Sequence, residues 1–163
     1  MRLKLFKSAS GLLIALVCIL PAPRLCAVPS DAPVQLKKDA NAKLTSFAIE
    51  GLVSINGTRQ WITSNLSLND LYELRFTSAW SGLSNGKHEQ RLTLFTPNNA
   101  LYQEIVTPFS VDNGKKKKGD ATDTVQEILP TAGSQAQRLP GLWKAEVRLD
   151  GQLFATQSFT LNP

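Results

Sequence analysis

From Leu71 to Trp80 the chain alternates, with Tyr72, Leu74 and Phe76 on one face and Glu73, Arg75 and Thr77 on the other. A period of two belongs to a strand with one face buried. The period returns from Lys87 to Thr96, where His88, Gln90, Leu92 and Leu94 share a face opposite Glu89, Arg91, Thr93 and Phe95. It returns again from Leu142 to Leu149, with Trp143, Ala145, Val147 and Leu149 inward against Lys144, Glu146 and Arg148. Gln152 to Leu161 then adds Leu153, Ala155, Phe159 and Leu161 to the apolar side. Phe47 to Ile55 and Leu101 to Thr107 read as further strands, Arg59 to Leu68 as a short one around Trp61 and Ile62, and Val125 to Leu129 as a short edge strand. Asn56-Gly57, Ser84-Asn85-Gly86, Pro97-Asn98-Asn99 and Asp150-Gly151 supply the turns between them. No segment carries the period of an amphipathic helix. Short strands with frequent turn signals predict an all-β fold, an antiparallel β-sandwich of about seven strands.

The ends of the chain behave differently. Residues 1–27 begin with Arg2, Lys4 and Lys7, continue with an apolar run from Gly11 to Leu20, and close on Leu25-Cys26-Ala27. This is the layout of a secretory signal peptide. The apolar run is shorter than the about 20 residues that span a bilayer, and Pro21 and Pro23 end it, so no transmembrane helix is expected in the mature chain. Lipidation at Cys18 or Cys26 is the alternative, although neither follows the small residue that a lipoprotein signal wants. Residues 28–43, with their prolines, aspartates and lysines, read as a flexible N-terminal segment. Residues 44–163 read as a single domain, interrupted by a mobile Lys-rich insertion at 112–124.

Removing the leader changes the charge. The whole chain has 18 Lys and Arg against 13 Asp and Glu, for a net charge of +5. The leader holds four of the cations and no acid, so the mature chain stands at 14 against 13. A balance so close to neutral does not suit a nucleic-acid-binding domain. Both cysteines, Cys18 and Cys26, leave with the leader, which excludes a disulfide, a thiolate nucleophile and any Cys-based metal site. A cysteine-free exported domain fits a bacterial envelope, periplasmic or secreted, better than an animal extracellular space.

The closing stretch carries a resemblance. Pro140-Gly141, then Trp143, Val147, Asp150-Gly151, Phe159 and Leu161 at their spacing resemble the last hairpin of immunoglobulin-like sandwiches in bacterial envelope proteins. The resemblance implies that Pro-Gly delivers the chain into a strand, that the tryptophan fills the core, and that Asp-Gly starts the last strand. The disulfide of antibody domains is absent. The match covers the end of the chain and speaks for architecture, and such a fold hosts many unrelated functions.

Candidate chemistry is sparse. Lys115, Lys116, Lys117 and Lys118 form a cationic run bounded by Gly114 and Gly119. They suit a docking contact for an anionic partner, against the plainer reading of a solvated loop. No aromatic is interleaved to stack bases. The glycine spacing is that of a P-loop, but Asp120 stands where its lysine belongs. Asp112, Asp120 and Asp123 follow no calcium-loop spacing. His88 is the one histidine, and Ser84-Asn85-Gly86-Lys87 matches a serine–lysine spacing only in a turn, without the helix that motif requires. Glu73, Glu89 and Glu146 occupy polar strand faces that solvent exposure explains. Trp61 and Trp80 lie near strand ends beside polar residues and are candidates for a sugar-stacking platform or a protein contact, against a role in capping the core.

These observations point to an exported, non-catalytic module that binds another envelope protein by an edge strand, a loop or both. A carbohydrate- or ligand-binding module built on exposed tryptophan is the alternative, and a hydrolase comes third. No cofactor or metal is expected.

Overall fold

The computed structural model describes residues 39–114 and 122–163. The leader, the first part of the N-terminal segment and Lys115–Lys118 lie outside the described residues. Among the described residues nine strands form: β1 (Lys43–Ile55), β2 (Thr58–Ile62), β3 (Leu66–Ser67), β4 (Leu71–Ser81), β5 (Gly86–Phe95), β6 (Leu101–Val111), β7 (Asp123–Pro130), β8 (Gly141–Leu149) and β9 (Gln152–Asn162). A single 3-10 turn, Gln135–Arg138, precedes β8.

The strands make two sheets, one ordered β2-β1-β4-β7 and the other β3-β9-β8-β5-β6. Neighbours run antiparallel except for β3, which lies parallel to the end of β9. The architecture is an immunoglobulin-like β-sandwich without a disulfide. The predicted strand over residues 59–68 divides in two, because the backbone reverses at Asn65, whose φ is 56°. Its first part stays with β1, and its second crosses to the other sheet.

Period-two patterning accounts for the core. Leu92 and Leu94 on β5 and Trp143, Ala145 and Val147 on β8 are fully buried, as their alternation requires. Each large apolar side chain so buried contributes about 1.5–3 kcal/mol. Two turns keep neighbouring strands in register. Asn56 and Gly57 have φ of 50° and 78°, and Asp150 and Gly151 have 48° and 81°. Two successive residues in the left-handed region match the twist of a hairpin, and glycine takes the second place without strain.

Bulges overturn two of the predicted faces. Leu52 pairs with Glu73 but Val53 pairs with Leu71, so Tyr72 is an extra residue on β4. Leu71 therefore enters the core, and Tyr72 turns outward under the Arg59 guanidinium. Likewise Val147 pairs with Ala155 but Arg148 pairs with Leu153, which leaves Phe154 as the extra residue on β9. Leu153 is accordingly exposed, and Phe154 packs edge-on against Trp80, their ring centroids 5.0 Å apart.

Candidate functional site

Trp80 belongs to the core. It is fully buried, and its Nε1–H donates to Gln90 Oε1 at 2.7 Å. From Leu74 onward the even positions of β4 face inward, and Trp80 shares that parity with Leu74, Phe76 and Ser78. It therefore offers no surface for a sugar or a partner, which corrects the expectation drawn from its polar neighbours.

Trp61 stands on the outer face of the four-stranded sheet. It pairs with Leu52 on β1 and is half-buried. The Arg75 guanidinium lies 3.9 Å above its ring centroid, while Arg75 Nη2 and Nε reach Glu50 Oε2 at 2.7 and 2.9 Å. Two residues before Trp61, Arg59 covers the Tyr72 ring at 4.3 Å. Ile128 of β7 pairs with Arg75 on the same face and is half exposed. The outer face thus carries two guanidinium–aromatic stacks beside exposed aliphatic carbon. Cation–π contact of this kind holds a long side chain in one place.

His88 lies at the opposite end of chemical expectation from a catalytic base. Its side chain is 3% exposed; Nδ1 contacts Asp150 Oδ2 at 2.8 Å and Nε2 contacts the Ser84 carbonyl oxygen at 2.9 Å. Both ring nitrogens face acceptors, and an imidazole donates to both only when protonated. Burial, the largest single influence, pulls its pKa down; the Ser84 carbonyl and the Asp150 carboxylate, helped by the charge of Asp39, outweigh it and leave the pKa raised above 6.5. Asp150 also accepts from the Glu89 N–H at 2.8 Å, and Asp39 Oδ2 accepts from the Ser84 N–H at 2.7 Å. The cluster ties the start of β5, the β8–β9 turn and the approach to β1 together. A nucleophile has no place at Nε2, which the carbonyl occupies.

A second buried polar chain runs between the sheets. Gln90 Nε2 donates to Glu127 Oε1 at 3.2 Å, and the Thr107 hydroxyl donates to the same oxygen at 2.9 Å. Glu127 is 4% exposed, and among the described residues neither its Oε2 nor Ser78 Oγ has a hydrogen-bond partner. Desolvation raises the Glu127 pKa above the usual 4.5 against the two hydrogen bonds, which lower it. The bond from Thr107 joins β6 to β7, the two edges that meet on that side of the sandwich.

Two clefts flank the segment between β2 and β3. One of about 440 Å³ lies against β9, lined by Thr63, Ser64, Asn65, Gln157 and Thr160 over Ile49 and Phe159. The other, about 360 Å³, opens between Val53, Ile62, Asn65 and Asp70. Among the described residues no cluster of His, Cys, Asp and Glu is arranged to hold a metal ion, and no helix is long and apolar enough to cross a membrane.

The sequence singles out Trp61 as a candidate, but not Arg75 or Tyr72. Arg75 meets Trp61, and Arg59 meets Tyr72, only through the register of β1, β2 and β4. The polar residues around Trp61 were the signal for an outward position.

No protein-family model matches the chain, and no curated protein matches it. Several solved structures resemble it at low identity. The alkylpurine DNA glycosylase AlkC of Pseudomonas fluorescens, bound to DNA containing an abasic site analog, is 12% identical, with a TM-score of 0.51 over 76% of this chain. This chain spans only 31% of the glycosylase's length, so the likeness concerns part of that protein. An immunoglobulin-like protein from Pseudomonas aeruginosa is 14% identical, with a TM-score of 0.45 over 77% of this chain and 100% of its own. A Bacteroides uniformis beta-glucuronidase is 14% identical, with a TM-score of 0.44 over 74% of this chain and 14% of the enzyme.

Proposed function

We propose that this chain is an exported, non-catalytic immunoglobulin-like module that binds another protein of the bacterial envelope, in the periplasm or outside the cell. The observation that carries the reading is the outer face of the four-stranded sheet, where Arg75 stacks on Trp61 and Arg59 on Tyr72. Tryptophan, tyrosine and arginine dominate the energetic centres of protein interfaces. Guanidinium groups already held over the rings lose less freedom on binding than free ones do. The leader-like N-terminus supports export.

The carbohydrate reading is weaker on this geometry. It relied on two tryptophans; one lies in the core, and the other has a guanidinium over its ring.

In-cell photocrosslinking from Thr77, an outer-face neighbour of Arg75 on β4, tests the proposal. One dominant envelope protein should be captured, and Trp61→Ala with Arg75→Ala should abolish the capture. Changing Lys115–Lys118 to serine in the same assay separates the sheet face from the lysine run. Capture unaffected by the Trp61 and Arg75 changes, or no reproducible partner, would overturn the reading.

A further inference from the structure

We propose that β9 is an edge through which two copies of this chain join, making the strands β9-β8-β5-β6 of each part of one continuous eight-stranded sheet. This surface lies in the other sheet and is separate from the Trp61 face.

An edge strand presents unpaired N–H and C=O groups, and proteins guard such edges with charges, proline, bulges or cover. The edges of this sandwich are guarded unequally. Arg59 sits within the short β2; Glu104 and Pro108 lie on β6; Asp123, Glu127 and Pro130 lie on β7. The fourth edge belongs to β3, but β3 is two residues long and covers β9 only at Leu161 and Asn162. Among the described residues, no strand therefore pairs with β9 from Gln152 to Thr160 on that side, and Thr63 to Leu66 stand across a cleft from Gln157 to Thr160. It contains no charged residue and no proline. Its one irregularity lies near Leu153, and the strand runs regularly from Ala155 to Thr160.

A second copy suits this edge for a reason of symmetry. In a two-fold antiparallel pair, residue i of one copy meets residue j of the other, and j meets i. A charge on the axis meets its own copy, and like charges directly opposite are destabilising. A charge-free strand escapes that penalty. Facing residues must also point to the same side of the sheet, which a two-fold axis at Gln157 satisfies. It sets Thr156 of each copy opposite Ser158 of the other, and Ala155 opposite Phe159, and the pairing stops short of Leu161, which β3 covers, at the irregularity beside Leu153. Thr156, Gln157 and Ser158 are all exposed. Hydroxyl pairs of this kind stabilise cross-strand contacts. The 440 Å³ cleft along Gln157 to Thr160 leaves room for an approaching strand, and its lining is amide, hydroxyl and apolar, with no charge. Such a dimer would carry two Trp61 faces, so that a partner with repeated sites is held by avidity.

The test is sedimentation velocity of the purified full chain over a concentration series, with hydrogen exchange read at β9. Wild type should shift reversibly toward twice the monomer mass as concentration rises, and the Ala155–Thr160 amides should slow in step. The double variant Thr156→Lys/Ser158→Lys should remain monomeric, and so should Thr156→Glu/Ser158→Glu. Mixing the two should restore a species of twice the mass. These positions are exposed, and circular dichroism of each variant confirms that it folds. A monomer at every concentration would overturn the proposal. If its β9 amides were nevertheless slow, another segment of the same chain would be the cover; if they were fast, the edge would be solvated. A dimer that survives the lysine variant would place the interface elsewhere and equally overturn it.

Discussion

The charged His88 cluster makes stability depend on pH in a calculable direction. The ring is held between the Asp150 carboxylate and the Ser84 carbonyl, and both bonds need the protonated form. Its folded pKa is raised above 6.5, so the stabilisation is complete below about pH 6.5, the unfolded value. It is lost as pH rises through the raised folded value. Replacing His88 with glutamine removes the cation and leaves the Asp150 carboxylate, itself 3% exposed, without it. Breaking a buried ion pair costs about 3–5 kcal/mol. Because Asp150 keeps the Glu89 N–H, the cost should fall near the lower end, about 3 kcal/mol at pH 6. Urea unfolding at constant ionic strength, at about pH 6 and about pH 9, reads this directly as midpoint and slope. Glu127 also titrates, since its raised pKa makes folding less favourable as pH climbs above 4.5. It is present in both proteins, so it cancels when the variant is subtracted from wild type. The difference between the two should therefore shrink on going to alkaline pH. A difference that stays constant, or grows, would refute the protonated clasp.

Three further changes test other parts of the structure. Glu127→Gln removes a buried carboxyl with an unpartnered oxygen and should raise stability at alkaline pH by about 1–2 kcal/mol, flattening the pH profile; a loss at both pH extremes would contradict the assignment. Trp80→Phe leaves Gln90 Oε1 buried without its donor and should cost about 1–3 kcal/mol by urea midpoint, whereas a neutral result would mean that the 2.7 Å bond contributes nothing. Gly51→Ala places a Cβ 2.5 Å from Leu66 Cδ2 and 2.6 Å from Leu71 Cδ1, and should cost about 1–3 kcal/mol by overpacking. An unchanged midpoint for that variant would show that the two leucines move aside freely.

The fold was readable in the sequence because one period governs most of it. His88, Gln90, Leu92 and Leu94 were placed together by alternation and are buried together. The errors came from two sources. At Tyr72 and Leu153 a bulge resets the alternation, and where the extra residue falls depends on the partner strand's hydrogen bonds rather than on local composition. At Trp80 the polar residues after the strand were given more weight than the parity shared with Leu74 and Phe76. The candidate sites are another matter. Asp150 reaches His88 across 62 residues of sequence, and Arg75 reaches Glu50 across 25. Such meetings depend on which strands pair and in what register, and no spacing motif records them.

The small strand β3 also governs when this molecule can finish folding. Leu66 meets Leu161, and the Leu68 amide donates to the Asn162 carbonyl at 2.8 Å. The crossing between the sheets therefore waits for Leu161 and Asn162. During synthesis the earlier hairpins can form, but the core stays open until β9 arrives. Closing a loop of that length costs entropy before any contact offsets it, and topologies of this kind fold slowly. The late arrival has a practical side: until then the apolar faces of β1, β4 and β5 are exposed together, and that interval is when a chaperone would find this chain.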